Sequence, residues 1–368
     1  MTPRKRPANF ADVEKQLRAI ERDGGEGELS FGRGETLHVS SLGKMFFPEA
    51  GLTKGDLMRY YARVAPMLLP EIEDRALVLQ RHPDGVSGPM FFQQSAGEHV
   101  PEVVRVETLD TVNLGEKPRI IGGDLPTLLY TVQLGAIEVH PWLSRVDDIS
   151  APDRCLIDLD PGDDVPFSQV AALAREVTRI AESCGLSVAL KTSGASGMHI
   201  VLPLPPRTSY ETSASLALLL AEAVVAANPE RATMERGVKA RPKGSIYVDA
   251  LQNARGKSMA APYSVRAKPA ASVSAPLRAR ELTGRLRIET FTVATMPARL
   301  ARTGDVWGDA IAKRPTARAL ARAMATMQDA TAAPPPRRES TRRSRVGGTH
   351  AGPASGRRAA TRARGSVE

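Results

Sequence analysis

The run Cys155-Leu-Ile-Asp158-Leu-Asp160-Pro-Gly places two carboxylates two residues apart in an otherwise apolar stretch. Strand alternation sends side chains i and i+2 to one face, so Asp158 and Asp160 share a face while Ile157 and Leu159 turn into the core. Adjacent like charges repel unless positive charge lies between them. Pro161-Gly162 ends the strand where a ligand can reach the pair. A divalent metal answers that requirement, and so does a solvated strand end running on into Asp163-Asp164. A third carboxylate, Asp249, closes the β-branched and aromatic run Ile246-Tyr-Val-Asp249. Strands far apart in sequence can lie side by side in a mixed sheet. One Asp from such a neighbour would complete a three-carboxylate cup for one or two metals, suited to phosphoryl or nucleotidyl transfer.

Between these runs lies Leu190-Lys191-Thr-Ser193-Gly194-Ala-Ser196-Gly197-Met-His199-Ile-Val-Leu202, which reads as strand, glycine-rich turn, strand. Such a turn can aim backbone N–H groups at a phosphate; it is also compatible with an ordinary hairpin carrying a half-buried histidine. It matches neither the Walker A pattern nor the dinucleotide fingerprint. After Asp249 comes a polar, basic stretch with Gln252, Asn253, Arg255, Lys257, Ser258 and Arg266. Its amide, hydroxyl and guanidinium groups could hold sugar hydroxyls and a triphosphate. Upstream, Glu138-Val-His140-Pro141-Trp142 offers an imidazole beside one of only two tryptophans, or alternatively a core Trp next to a satisfied His.

In combination, Asp158-Leu-Asp160-Pro-Gly, Thr192-Ser-Gly-Ala-Ser-Gly-Met-His199, Val248-Asp249-Ala-Leu-Gln-Asn253 and Ala261-Pro-Tyr-Ser-Val-Arg266 resemble the polymerase domain of bacterial DNA ligase D. That domain is a non-homologous end-joining polymerase of the archaeo-eukaryotic primase superfamily. The likeness runs from about Leu37 to about Leu282 and includes Ser41-Leu-Gly-Lys44-Met-Phe-Phe-Pro48, Gly51-Leu-Thr-Lys54-Gly-Asp56, Arg81-His-Pro-Asp84-Gly-Val86 and Phe91-Phe92-Gln93. The resemblance implies Asp158, Asp160 and Asp249 as catalytic ligands of Mn²⁺ or Mg²⁺ in a two-metal site. It implies His140, Ser193, Gly194, Ser196, His199, Gln252 and Arg266 around the incoming nucleotide. Lys44, Lys54, Arg81, Phe91 and Phe92 would meet DNA, the two lysines at a 5′-phosphate. The residue types suit those roles: lysine is a point charge for a terminal phosphate and arginine a planar fork. Aromatic faces stack unpaired bases at roughly 1–3 kcal/mol each. Core packing is the alternative for Phe91-Phe92, and alternation predicts that at most one of the two is exposed. Two departures stand out: Ser196 where many relatives carry a lysine, and Gln94 where many carry a basic residue.

Elements that would position these groups are legible. Thr53 and Asp56 form a capping box for a helix through Leu57, Tyr60, Tyr61 and Val64. Ser168 is expected to cap a second helix, with Val170, Leu173, Val177 and Ile180 on one face and Gly185 beyond its end. Further helices are expected near Ser213–Ala227 and Arg318–Met327. The order strand, helix, strand, strand around the acidic pair and the glycine turn reads βαββ, hence α+β. The resemblance refines this to a primase-polymerase fold, with an RRM-like palm packed on an N-terminal α/β module.

The domain reading is an extension over 1–35, a catalytic domain over 36–300, a helical segment over 301–330 and a disordered Arg-rich tail over 331–368. That tail holds nine Arg against two Glu, a net +7 of the chain's +9, and no aromatic residue. It suits diffuse, salt-sensitive phosphate contacts or plain solubilisation. Cys155 and Cys184, the only cysteines, support neither a disulfide framework nor a Cys-rich zinc site and are expected reduced and buried. No apolar leader or uninterrupted 18-residue apolar span is seen, so the expectation is a cytoplasmic, nucleoid-associated protein without membrane contact.

The functional expectation is a template-directed nucleotidyltransferase acting on 5′-phosphorylated DNA ends with nucleoside triphosphates, preferentially ribonucleotides, in end joining. The competing readings are a primase and a non-catalytic end-bridging module that recruits Ku and a separate ligase. Ligation by this chain is not expected: it has no Lys-x-Asp-Gly, and His82-Pro-Asp84-Gly85 lacks the lysine.

Overall fold

The computed structural model describes residues 10–111 and 115–332; the Arg-rich tail from residue 333 onward lies outside the described residues. In chain order the elements are α1 (Phe10–Arg22), β1 (Gly27–Gly32), β2 (Glu35–Val39), β3 (Met45–Phe47), β4 (Leu52–Thr53), α2 (Lys54–Ile72), β5 (Leu77–Arg81) and β6 (Phe91–Gln93). Then follow β7 (Val106–Thr111), β8 (Gly115–Ile120), α3 (Leu125–Gln133), β9 (Ala136–Pro141), β10 (Ser144–Arg145), β11 (Asp148–Pro152), β12 (Arg154–Pro161), α4 (Phe167–Ser183), β13 (Ala189–Thr192) and β14 (Met198–Pro203). The remainder comprises α5 (Tyr210–Ala227), β15 (Ala232–Thr233), β16 (Ile246–Asp249), β17 (Pro276–Leu277), α6 (Met296–Thr303), α7 (Val306–Ile311) and α8 (Ala317–Ala332).

Two sheets matter for the site. The larger has six strands in the order β15-β16-β12-β14-β13-β17, and contains the expected βαββ unit β12-α4-β13-β14. The smaller runs β6-β5-β9. β12 lies inside this sheet, with Cys155, Leu156, Ile157 and Leu159 all buried and the carboxylates of Asp158 and Asp160 toward its end. Helices α4 and α5 cover the large sheet with Val170, Leu173, Val177, Leu216, Leu220 and Val224. Helix α5 has a mean hydropathy of 1.3 over 18 residues, enough by length and composition to cross a membrane. Its buried face packs on β12 and α4, as a core helix does. Helix α1 packs on α2, and α8 on α5, within one compact unit.

Local chemistry accounts for the helix boundaries. Thr53 caps α2, with the reciprocal Asp56 carboxylate accepting from the Thr53 N–H at 2.9 Å. Helix α4 begins one residue before the expected cap: Pro166 precedes it, its φ of −68° already suited to helix entry, and no side chain caps it. Helix α5 starts earlier than expected because Ser209 accepts from the Thr212 N–H. Cys155 is buried, but Cys184 is only half-buried, since it terminates α4 rather than lying inside it; both are free thiols.

One buried amide replaces a strand. β16 pairs with β12 from Asp158 onward, which leaves Leu156 without a β16 partner. Asn253 takes that place: its Oδ1 accepts from Leu156 N–H at 2.7 Å, and its Nδ2 donates to Leu156 O at 2.7 Å and Ala250 O at 2.9 Å. The loop after Asp249 is thereby fixed to the carboxylate strand. Asn253→Ala strands the buried Leu156 backbone groups and should cost about 2–4 kcal/mol in urea unfolding. An unchanged midpoint would show that the loop holds itself.

Candidate nucleotidyl-transfer site

Sheet register assembles the carboxylates. Asp158 stands directly opposite Asp249 on β16 and, on its other side, opposite His199 on β14. Asp160 lies two residues on, on the same face, opposite Tyr247. Asp158 is pushed up to about 7 by burial and by the charges of Asp160 and Asp249. The side chains are drawn to separate partners. Asp158 Oδ1 is 3.6 Å from His199 Nε2, Asp160 pairs with Arg241 at 3.1 Å, and Asp249 accepts from Gln252 Nε2 at 2.9 Å and Leu251 N–H at 2.7 Å. In this arrangement no group of three or more His, Cys, Asp or Glu side chains among the described residues is gathered as a metal centre. The donor set still fits a hard divalent cation, being all-oxygen on two paired strands, with a mutual repulsion that a cation would relieve.

Behind Asp158 a buried pair of basic side chains is held in place. Lys191 Nζ lies 2.5 Å from His199 Nδ1 and donates to Ser274 Oγ at 2.8 Å. Burial, then the nearby Arg266 charge, holds Lys191 well below the usual lysine range; burial and Lys191 do the same to His199. In the sequence Lys191 stood out only as part of the strand leading into the glycine turn. Its place beside His199 follows from the register Lys191↔His199 between β13 and β14.

The glycine turn is built more tightly than a phosphate cradle needs. Ser193 Oγ accepts from the Ala195 and Gly197 N–H groups at 3.1 and 3.0 Å, so these two amides serve the turn itself. Gly197 presses on β12: a Cβ there would lie 2.0 Å from Leu159 O. Gly194 has φ +74°, and a Cβ on it would meet Arg266 Cγ at 2.5 Å. Ser196, the first departure from the family pattern, is exposed on the outside of the turn.

Arg266 joins the turn to the smaller sheet. It donates to Ser193 O and, through Nε, to Glu138 Oε2 at 2.7 Å. Glu138 also takes His140 Nε2 at 2.9 Å and the Ala267 N–H at 2.9 Å. Burial would raise this carboxyl, but the His140 hydrogen bond and the Arg266 charge hold it at about 2. Sequence reading missed Glu138 and Arg241; the alternation Glu138-Val-His140, which puts both side chains on one face, was the available signal for the first.

The residues expected to meet DNA gather at β6 and at the start of α2. Phe91 and Phe92 are both exposed, at 46% and 55%, which corrects the expectation that one would be buried. The reason is that β6 is a three-residue edge strand whose two faces are both largely uncovered. Arg81 lies 5.0 Å above the Phe91 ring, while donating to Leu134 O at 2.6 Å and Gln93 Oε1 at 2.7 Å. Phe92 meets His140 edge-on, with centroids 6.5 Å apart. Gln94, the second departure, accepts from Arg119 through its carbonyl and its amide oxygen. Lys44 is exposed and ion-paired to Asp84 at 2.7 Å, whereas Lys54 is buried. Lys54 is lowered to about 8 by burial and by Lys44, and it opens α2, so two lysine charges meet a helix N-terminus.

A six-stranded sheet with carboxylates facing one another across β12 and β16, joined to a glycine turn and an aromatic edge strand, defines a polymerase-type α+β catalytic domain. The chain belongs to the LigD primase-polymerase domain family, whose pattern matches residues 53–307. It is similar to the polymerase domain of Mycobacterium tuberculosis Ligase D in complex with DNA, with a TM-score of 0.70 and 30% identity over 76% of this chain and 99% of that one. It is 31% identical over 276 residues to the multifunctional non-homologous end joining protein LigD of Pseudomonas aeruginosa, and 32% identical over 269 residues to the bifunctional LigD of Bacillus subtilis. Those matches cover 74% and 73% of this chain but 32% and 43% of the relatives, so the chain spans a third to two-fifths of their length.

Glu138 generates a pH prediction. A carboxyl depressed in the folded state contributes stability above its unfolded value, near 4.5, and loses it as pH falls through about 2. Glu138→Gln should therefore remove roughly 3 kcal/mol at neutral pH and flatten the stability profile between about pH 2 and 4.5. A parallel acid limb in the variant would contradict this.

Proposed function

We propose that this chain is a metal-dependent, template-directed nucleotidyltransferase that fills or extends DNA ends in non-homologous end joining. The observation that carries the reading is the register that sets Asp158 opposite both Asp249 and His199, with Arg266 and the Ser193 turn beside them. Asp158, Asp160 and Asp249 would hold Mn²⁺ or Mg²⁺. Bound there, the cations would activate the 3′-hydroxyl and neutralise charge on the α-phosphate during in-line displacement of pyrophosphate.

The chain's own groups divide the remaining work. Arg266 is held rigid by Glu138, so its guanidinium meets the triphosphate with little ordering cost. Lys191 fills the Nδ1 side of His199 and leaves Nε2 facing Asp158 and the nucleotide. Gln252 steadies Asp249. Phe92, braced on His140, and Phe91, braced on Arg81, offer faces for unpaired bases. Lys44 and Lys54 at the head of α2 suit a 5′-phosphate. The Mycobacterium tuberculosis relative was solved with DNA, which supports a DNA partner. Preference for ribonucleotides, and cooperation with Ku and a separate ligase, are carried over from the family resemblance.

Primer extension on a 5′-phosphorylated gapped duplex, with Mn²⁺ or Mg²⁺ and either rNTPs or dNTPs, tests the reading. Asp158→Ala/Asp160→Ala should lower extension at least 1,000-fold while DNA affinity stays within a few-fold. Extension surviving in the double variant would sink the site; tight DNA binding with no extension by the native chain would favour an end-bridging module. Lys44→Ala should weaken discrimination between 5′-phosphate and 5′-hydroxyl ends roughly tenfold, measured by competition binding. Equal discrimination would move the phosphate contact elsewhere.

A further inference from the structure

Beyond the glycine turn, on the β17 side of the large sheet, lies a cleft of 570 Å³ whose lining includes Arg285, Arg287, Arg299, Arg302 and Phe291. None of its lining residues is acidic. Arg299 is committed to the fold: it pairs with Glu281 at 2.7 Å, donates to Pro276 O at 3.0 Å and covers the Phe291 ring at 5.0 Å. Arg287 donates to the Gly284 and Leu286 carbonyls. Arg285 and Arg302 are exposed and make no side-chain hydrogen bond or ion pair among the described residues. Four arginines thus line one concavity with no acidic residue in its lining, Glu281 being paired to Arg299. Repulsion among them favours an anion, and the guanidinium fork matches a phosphate.

The location narrows the class of anion. Residues 291–293 bond to 271–273, with Val273 N–H on Phe291 O at 2.8 Å and Val293 N–H on Ala271 O at 3.0 Å. On its other side that segment holds the glycine turn, Ser272 Oγ donating to Gly194 O at 2.5 Å. The cleft therefore begins one backbone width behind the turn. Its anchor strand, β17, lies three strand spacings from β12, roughly 14 Å. Phe291 is buried beneath Arg299, so no ring is offered for a base to stack on. What remains is sequence-independent recognition of a sugar-phosphate backbone.

We propose that this cleft holds the phosphodiester backbone of an unpaired nucleic-acid strand as it passes the active site, an inference that rests on the DNA-end reading above. A flexible single strand follows a concave basic groove more readily than a stiff duplex does. The cleft adds reach along the overhang and plays no part in the chemistry.

The test is fluorescence anisotropy of the full chain with a blunt duplex and with the same duplex carrying a long single-stranded overhang, across a salt series, for native protein and Arg285→Gln/Arg302→Gln. Both side chains are exposed, and a thermal melt verifies that the variant folds. The native chain should prefer the overhang, and the variant should lose roughly tenfold in overhang affinity. Its log K against log salt slope should fall by about 1.4, two contacts at 0.7 each, with blunt-duplex binding unchanged. Unchanged affinity and slope, an equal loss on both DNAs, or displacement of the overhang by poly-glutamate more readily than by an oligonucleotide of equal charge would each overturn the cleft assignment. Extension of a gapped duplex without an overhang, run in parallel, reports on the catalytic reading separately. A native chain that binds neither DNA would overturn both.

Discussion

Repulsion among Asp158, Asp160 and Asp249 is the constraint around which the large sheet is organised. Burial and those two neighbours together raise Asp158 to about 7, a cost that a sheet centre accepts only where charge is to be met by charge. The compensation on the protein's side is incomplete by design of the register. Lys191 and Arg266 lower Asp158 but do not touch it, and His199 approaches only to 3.6 Å. Lys191 and Arg266 thus act on Asp158 from a distance, while Arg241 pairs directly with Asp160 at 3.1 Å.

Glu138 plays the corresponding role on the smaller sheet. One buried carboxylate receives Arg266, His140 and the Ala267 amide, and so joins β9 to the segment that carries Arg266. From there the contacts run two ways: through His140 to the Phe92 ring, and through Arg266 to Ser193 and the glycine turn. The surface that would meet a DNA strand and the turn that would meet a nucleotide are therefore spaced by a single buried ion pair rather than by loop packing. Geometry set this way varies little, because breaking either partner leaves an unpaired buried charge.

How far the sequence revealed this depends on whether a residue acts through alternation or through tertiary contact. The βαββ order, the capping box at Thr53 and the shared face of Asp158 and Asp160 follow from local rules and stand in the structure. So does the pairing of the Asp249 strand with the Asp158 strand, foreseen from the chemistry of the residues rather than from their spacing. Alternation failed at Phe91-Phe92, because the rule assumes one covered face and β6 covers neither well. Exposure of the lysines was open in sequence; Lys54 is buried because its backbone is tied to Lys44 O and its ammonium to Ser40 O. Asn253, Arg241 and Glu138 act across 81 to 128 residues of chain, distances over which no local pattern carries information. Asn253 was visible only as part of a motif, not as the amide that stands in for a strand.

The separated carboxylates follow from the same electrostatics. Asp160 turns to Arg241, which in turn lies 4.1 Å above the Tyr247 ring, and Asp249 turns toward Gln252. Tyr247 also donates to Asp249 at 3.4 Å, so the two outward carboxylates share one aromatic neighbour. Arg241 is thus held between the Asp160 carboxylate and the Tyr247 ring, a contact reaching across 81 residues of chain that no local pattern announces.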